Sequence, residues 1–235
     1  MPGAIQLSGE AALRCGAGRV SIATHPSHHT VISAVRPELM CHAIEKISDL
    51  KPLLSKVDTL AIGPGLGTNK WGRNLFNEVV KLDLPMVVDA DALNLLANSS
   101  VRHDNWILTP HPGEAGRLLG VTAGVIQEDR LSAVTALRDK YGGTIVLKGA
   151  GSLVSSMDGP FWISTSGNSG MASPGMGDAL TGVIAALLAQ GVPSEQAAAF
   201  GVEIHARAGD LAIKTGQRGL IASDVLRELR PLVNS

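Results

Sequence analysis

The densest chemical signal in the 235-residue chain is the run Gly167-Asn168-Ser169-Gly170-Met171-Ala172-Ser173-Pro174-Gly175-Met176-Gly177-Asp178. Its glycines let several backbone N–H groups converge on one point, just before a segment of strong helical period whose dipole adds positive potential. Such a cradle receives an anion, for instance a phosphoryl group in transfer. Asp178 stands beside it, either to take a proton from a hydroxyl or to cap the helix, and the loop alone does not separate the two roles. Two other glycine clusters follow apolar runs: Gly63-Pro64-Gly65-Leu66-Gly67 after Ala61-Ile62, and Lys148-Gly149-Ala150-Gly151-Ser152 after Ile145-Val146-Leu147. Each is either an ordinary tight turn or part of a ligand crevice at the carboxyl ends of parallel strands.

Two polar segments carry the same ambiguity. In Leu108-Thr109-Pro110-His111-Pro112-Gly113-Glu114, His111 suits a helix cap with Glu114 reaching back as in a capping box, or a substrate contact facing the crevice. In Val87-Val88-Asp89-Ala90-Asp91-Ala92-Leu93, the carboxylates either cap a helix or border a magnesium-phosphate site. Thr68 stands where a dinucleotide-binding G-x-G-x-x-G needs its third glycine, and no Walker-type phosphate loop occurs, so any phosphate is held another way. His25, His28, His29, His42, His103 and His205 lack ligand-type spacing and read as surface or packing residues.

The elements that must position these groups alternate short β-branched runs with helical periods, the pattern of a parallel sheet covered by helices. Strands are expected at Arg19 to Thr24, Thr59 to Ile62, Met86 to Asp89, Trp106 to Leu108, Thr144 to Lys148, Leu153 to Ser155 and Phe161 to Ser164. The last two flank Met157-Asp158-Gly159-Pro160 and predict an edge hairpin. Helices are expected near Leu7 to Cys15, Lys70 to Val80, Ala92 to Ala97, Pro112 to Leu119 and Val125 to Lys140, with three more in the C-terminal third. The clearest is Asp178 to Gln190, apolar at Leu180, Val183, Ile184, Leu187 and Leu188 and stopped by Gly191.

Composition narrows the function classes. Glycine is abundant, 27 residues or about 11% against roughly 7% in average proteins, which suits many close backbone approaches. A net charge of −1 and 3% aromatic residues disfavour nucleic acid as a partner. The longest apolar stretch is too short to span a bilayer, the N-terminus lacks signal-peptide regions, and Cys15 and Cys41 show no framework spacing. The expectation is one soluble, cytoplasmic domain.

Taken in order, Met1-Pro2-Gly3-Ala4, Gly63-Pro64-Gly65-Leu66-Gly67, Asp89-Ala90-Asp91-Ala92-Leu93, Thr109-Pro110-His111-Pro112-Gly113-Glu114, Lys148-Gly149 and Gly167-Asn168 to Asp178 resemble the ADP- or ATP-dependent NAD(P)H-hydrate dehydratases. That family lies within the ribokinase-like superfamily, and the resemblance covers nearly the whole chain. It implies an α/β fold with a mainly parallel central sheet covered by helices on both faces, an edge hairpin, and a single domain over residues 1–235. It also implies an enzyme that dehydrates the S-form of hydrated NADH or NADPH back to NADH or NADPH. Mg2+ would serve as cofactor and ADP or ATP as co-substrate, with ADP favoured.

Carried over to matching positions, Ala4, Gly67, His111 and Asp178 resemble the contacts to the hydrated cofactor. Lys148, Gly149, Ala150, Gly151, Ser152 and Gly177 resemble the nucleotide contacts, and Asp178 the catalytic base. A homo-oligomer, a tetramer by resemblance, is expected, fused to or acting with an NAD(P)H-hydrate epimerase. Ser169 and Pro174 depart from the family's usual proline and glycine, and Pro174 removes a possible N–H donor. The family's first strand would precede Met1, with Ala4 in a loop leaving it. Two readings compete: a vitamin-precursor kinase of the same superfamily, against which Thr109 to Glu114 argues, and a catalytically weak nucleotide-binding subunit.

Overall fold

The computed structural model describes residues 1–157 and 159–234. Strands β1 (Ser21–Thr24) and β2 (Met40–Ala43) pair in parallel as a separate two-stranded sheet. The central sheet runs in chain order through β3 (Leu60–Ile62), β4 (Met86–Val88), β5 (Trp106–Leu108), β6 (Thr144–Leu147), β7 (Leu153–Ser155) and β8 (Trp162–Ile163). β3 to β6 are parallel, and β7 and β8 return antiparallel as the expected edge hairpin. Asp158, in the turn expected between them, lies outside the described residues.

Strand periodicity divides the core into two layers. Met86 and Val88, Trp106 and Leu108, and Ile145 and Leu147 face one side. There they pack with α4 (Lys70–Val79), α5 (Ala90–Leu96), α6 (Pro112–Leu119), α7 (Ala123–Glu128) and α8 (Arg130–Tyr141). Val87, Ile107, Val146 and Val154 face the other, against Leu180, Ile184 and Leu188 of α9 (Met176–Ala189) and Ala197, Ala198 and Val202 of α10 (Ser194–Ala212). A third cluster of mostly small residues joins α9 to α1 (Pro2–Arg14) and α11 (Ala222–Leu232). Ala179, Val183 and Ala186 belong to it, so α9 is buried on nearly every side.

The structure differs from expectation in three respects. α1 begins at Pro2, a residue suited to the first helical turn because its missing N–H has no intrahelical partner there, so Ala4 lies in a helix and not in a loop. The helix expected over Val125 to Lys140 is two, broken at Asp129, whose φ of −142° leaves the helical region. Asp129 then caps α8, with Oδ1 accepting the Ser132 N–H at 2.9 Å. Helices α2 (Pro26–Val35) and α3 (Ile47–Leu54) and strand β2 were not anticipated. α2 is rich in β-branched residues and histidines and β2 exposes both its ends, so neither carries a clear apolar period, while α3, apolar at Ile47, Leu50 and Leu54, is short and contains Pro52.

Candidate functional site

At the carboxyl ends of β4 and β6, Lys148 Nζ donates to Asp89 Oδ1 at 2.6 Å. Asp89 is only 1% exposed, and its Oδ2 accepts the Thr181 hydroxyl of α9 at 2.8 Å. Glu114 of α6 brings Oε2 to 3.7 Å from the same ammonium. A buried charge persists only with partners of this kind. Burial pushes Lys148 toward losing its proton, but the Asp89 and Glu114 charges, the Asp89 hydrogen bond and the field of Asp178 outweigh it and raise its pKa. Asp89 precedes α5 without a side-chain capping bond, so holding Lys148 is its role in the fold.

The N-terminus of α9 sits directly over this ammonium. Gly175 is its N-cap at φ 91°, and a Cβ there would press on Leu7 Cδ1 at 2.7 Å. A Cβ on Gly177 would lie 3.1 Å from Lys148 Nζ, so the expected nucleotide contacts Lys148 and Gly177 are neighbours. Asp178 occupies the first turn and does not cap the helix. Its carboxyl pKa is raised, first by burial and then by the like charge of Asp89, with Lys148 opposing and Asp91 adding to the rise. Pro174, just before Gly175, is exposed, and Ser169 opens a short 3₁₀ turn, Ser169–Met171.

The other expected residues reach this centre through intermediaries. Gly67 N donates to Asp91 Oδ2 at 2.8 Å, and Ala90 between the two aspartates holds a φ of 48°, a left-handed backbone that costs a non-glycine residue about 1 kcal/mol or more. Ser8 Oγ lies 2.7 Å from Asp178 O and 3.2 Å from Ala4 O, which seats the first turns of α1 against α9. His111 Nδ1 accepts the Gly113 N–H at 3.0 Å while its own N–H donates to Glu114 Oε2 at 2.8 Å, the reciprocal cap expected. The half-exposed ring also brings Nε2 to 3.5 Å from Glu114 Oε1, so capping and a place beside the centre coexist. From Lys148 the loop runs out through Gly149, Ala150 and Gly151 and closes on itself where Ser152 Oγ donates to Gly149 O at 3.1 Å.

Four residues that sequence reasoning did not place complete the surroundings. Thr181 and Ser8 are lone hydroxyls on otherwise apolar helix faces, a signal that was legible. Arg130 lies beneath the Lys148 to Ser152 loop, donating to Leu147 O and Gly151 O, each at 3.1 Å. His205 of α10 was expected only as a packing or surface residue, and it is buried against the start of α9. Its ring hydrogen-bonds the Met176 backbone, while burial and then the Lys148 charge lower its pKa to about 4.

Solved structures of the same fold define the class. A ribokinase-like superfamily protein from Enterococcus faecalis superposes with a TM-score of 0.90 at 29% identity, covering 99% of this chain and 82% of that one. The ADP/ATP-dependent NAD(P)H-hydrate dehydratase from Bacillus subtilis, co-crystallized with ATP/Mg2+, superposes at 0.86 with 28% identity, over 100% of this chain and 85% of that one. The protein is therefore a ribokinase-like α/β protein. A family model described as NAD(P)H-hydrate dehydratase matches residues 1–231, and the chain belongs to that family.

Among relatives, the "Bifunctional NAD(P)H-hydrate repair enzyme Nnr" of Coxiella burnetii is 49% identical over 100% of this chain and 48% of its own length. The Escherichia coli protein of the same name is 45% identical over 99% of the chain and 45% of its own length. The chain thus spans about half the length of these two relatives. The "ADP-dependent (S)-NAD(P)H-hydrate dehydratase" of Neisseria meningitidis serogroup B is 36% identical over 100% of the chain and 81% of its own length.

Proposed function

We propose that this chain acts as one catalytic domain that dehydrates the S-form of hydrated NADH or NADPH to NADH or NADPH at the expense of ADP or ATP. The observation that carries the reading is Asp178, a half-buried carboxylate with raised proton affinity, one residue after Gly177 at a helix N-terminus and over the Lys148 ammonium. A base so placed removes the proton from the ring hydroxyl as its oxygen attacks the terminal phosphorus of the nucleotide. The bond from that phosphorus to the bridging oxygen breaks, leaving AMP from ADP, or ADP from ATP. Phosphate then departs with the ring C–O bond, a proton leaves the neighbouring carbon, and the ring double bond is restored. The N–H groups at the start of α9 and the Lys148 charge stabilise the negative oxygens during transfer.

Ala4, Gly67 and His111 would hold the hydrated cofactor, with Ser8, Asp91 and Glu114 fixing their positions. Lys148 to Ser152 and Gly177 would hold the nucleotide. Mg2+ would be held by nucleotide phosphate oxygens together with one or two carboxylates and water. Asp91, whose charge reaches Asp178, is the oxygen donor that would hold it, which leaves Asp178 free as the base. When bound, Mg2+ neutralises charge on the phosphates.

Among the described residues no helix is long and apolar enough to cross a membrane, and the free thiols of Cys15 and Cys41 support a reducing, cytoplasmic setting. A homotetramer working beside an epimerase is the assembly this reading favours. The test supplies hydrated NADH or NADPH with ADP, ATP or neither, and follows the absorbance of the reduced nicotinamide. Nucleotide-dependent recovery supports the reading. Absence of turnover with both nucleotides overturns it.

A further inference from the structure

We propose that Arg130 is a positioning residue for nucleotide binding, acting as a clamp that presets the Lys148 to Ser152 loop. The inference rests on the reading of that loop as the nucleotide contact. A loop with two glycines in five residues loses much conformational entropy when ordered, and a ligand that must order it binds correspondingly less well. Something in the free protein has to hold such a loop in shape.

Arg130 does so from below. The break in the helical chain at Asp129 makes Arg130 the first residue of α8 and turns its side chain toward the loop. Its Nη2 donates to Leu147 O and to Gly151 O, each at 3.1 Å, and so ties the last residue of β6 to the far limb of the loop. Nη1 donates to Gln127 Oε1 at 2.8 Å, which steadies the guanidinium from the end of α7. Between the two anchored carbonyls the chain passes so near that a Cβ on Gly149, at φ 147°, would sit 2.7 Å from Nη1. Gly149 therefore lies directly on the guanidinium. Ser152 Oγ, donating to Gly149 O, closes the remaining side. The planar guanidinium bridges two carbonyls through Nη2 and is held in place through Nη1 at Gln127, all while carrying a fixed positive charge under a loop meant for phosphates, whereas a lysine at the same place would supply the charge without that rigid span.

The test compares wild type, Arg130→Gln and Arg130→Lys by calorimetric titration with ADP and by steady-state kinetics with each substrate varied. Arg130→Gln should raise both Kd and KM for ADP on the order of 10-fold, the effect of losing charge-assisted hydrogen bonds. The KM for hydrated NADH, and kcat at saturating ADP, should stay within about 2-fold. Arg130→Lys should recover only part of the ADP affinity, and it serves alone if the Gln variant does not fold. Unchanged ADP affinity in the variants, or an equal rise in both KM values, overturns the clamp. If wild type itself binds neither ADP nor ATP, the reading of the loop fails and the clamp falls with it. Wild-type binding with unaltered variants removes the clamp and leaves the dehydratase reading standing.

Discussion

Two aspartates at the site illustrate how position divides one chemistry into two roles. Asp178 is half-buried, and its folded pKa is raised by burial and by Asp89, so its ionised form is the less comfortable one. For a carboxyl raised in the folded state, the stabilising contribution is present below the unfolded pKa and is lost as pH rises through the folded value. At pH 7 to 8 Asp178→Asn should therefore melt at the same temperature as wild type or higher. Turnover should fall by at least about 10²-fold. Near-normal turnover would show that the base lies elsewhere. Asp89 is the opposite case, fully buried with both oxygens engaged by Lys148 and Thr181. Asp89→Asn leaves the Lys148 ammonium with less compensation and should cost about 3–5 kcal/mol, a fall in Tm on the order of 10 °C in a thermal melt. A drop of only a degree or two would mean that Glu114 alone suffices as a partner.

At the scale of elements, α9 and α10 carry the site's floor. His205 joins them through the Met176 backbone, and its Nε2 has no hydrogen-bond partner among the described residues. Burial favours the neutral ring, lowering its pKa from 6.5 to about 4, with the Lys148 charge adding to the effect. A histidine depressed in this way contributes stability above its unfolded pKa, and that contribution is lost as pH falls through the folded value. The window is pH 6.5 down to 4, and the loss amounts to about 3 kcal/mol. His205→Gln, neutral throughout, should therefore give a shallower decline of Tm across that window than wild type. Parallel curves for the two proteins would assign acid sensitivity to other groups.

For the molecule as a whole, a nucleotide seated on the loop after β6 is linked to the entire fold, because β6 is central in the sheet and its side chains enter both core layers. At one hundred times its Kd a ligand stabilises the native state by about 2.7 kcal/mol, which in a domain of this size raises Tm by about 5–10 °C. ADP or ATP should produce that rise. Gly149→Val, which forces a branched side chain onto Arg130 at a left-handed position, should abolish it. A shift that survives the substitution would put the nucleotide at another place.

What the chain determined by itself was whatever local physics encodes. Apolar runs and turn glycines marked the six strands of the central sheet, the edge hairpin and the buried α9. The capping box at His111 was legible because its partners lie three residues apart. The glycine-rich approach to Asp178 was legible as a tight turn into α9 for the same reason. Short-range signals were weak at α2 and β2, where apolar residues follow no period, at the short α3 with its internal Pro52, and at Asp129, whose cap divides a continuous helical pattern in two. Only the tertiary structure decided which groups meet. Lys148 with Asp89 spans 59 positions, Asp89 with Thr181 spans 92, and Ser8 with Asp178 spans 170. No periodicity of 2 or 3.6 residues carries information over such separations. The first two contacts arise because parallel strands end together at one edge of the sheet, under the start of α9, and the third because α1 packs on α9. It also settled that Asp178 is free of capping duty, since the left-handed backbone at Gly175 starts the helix three residues earlier.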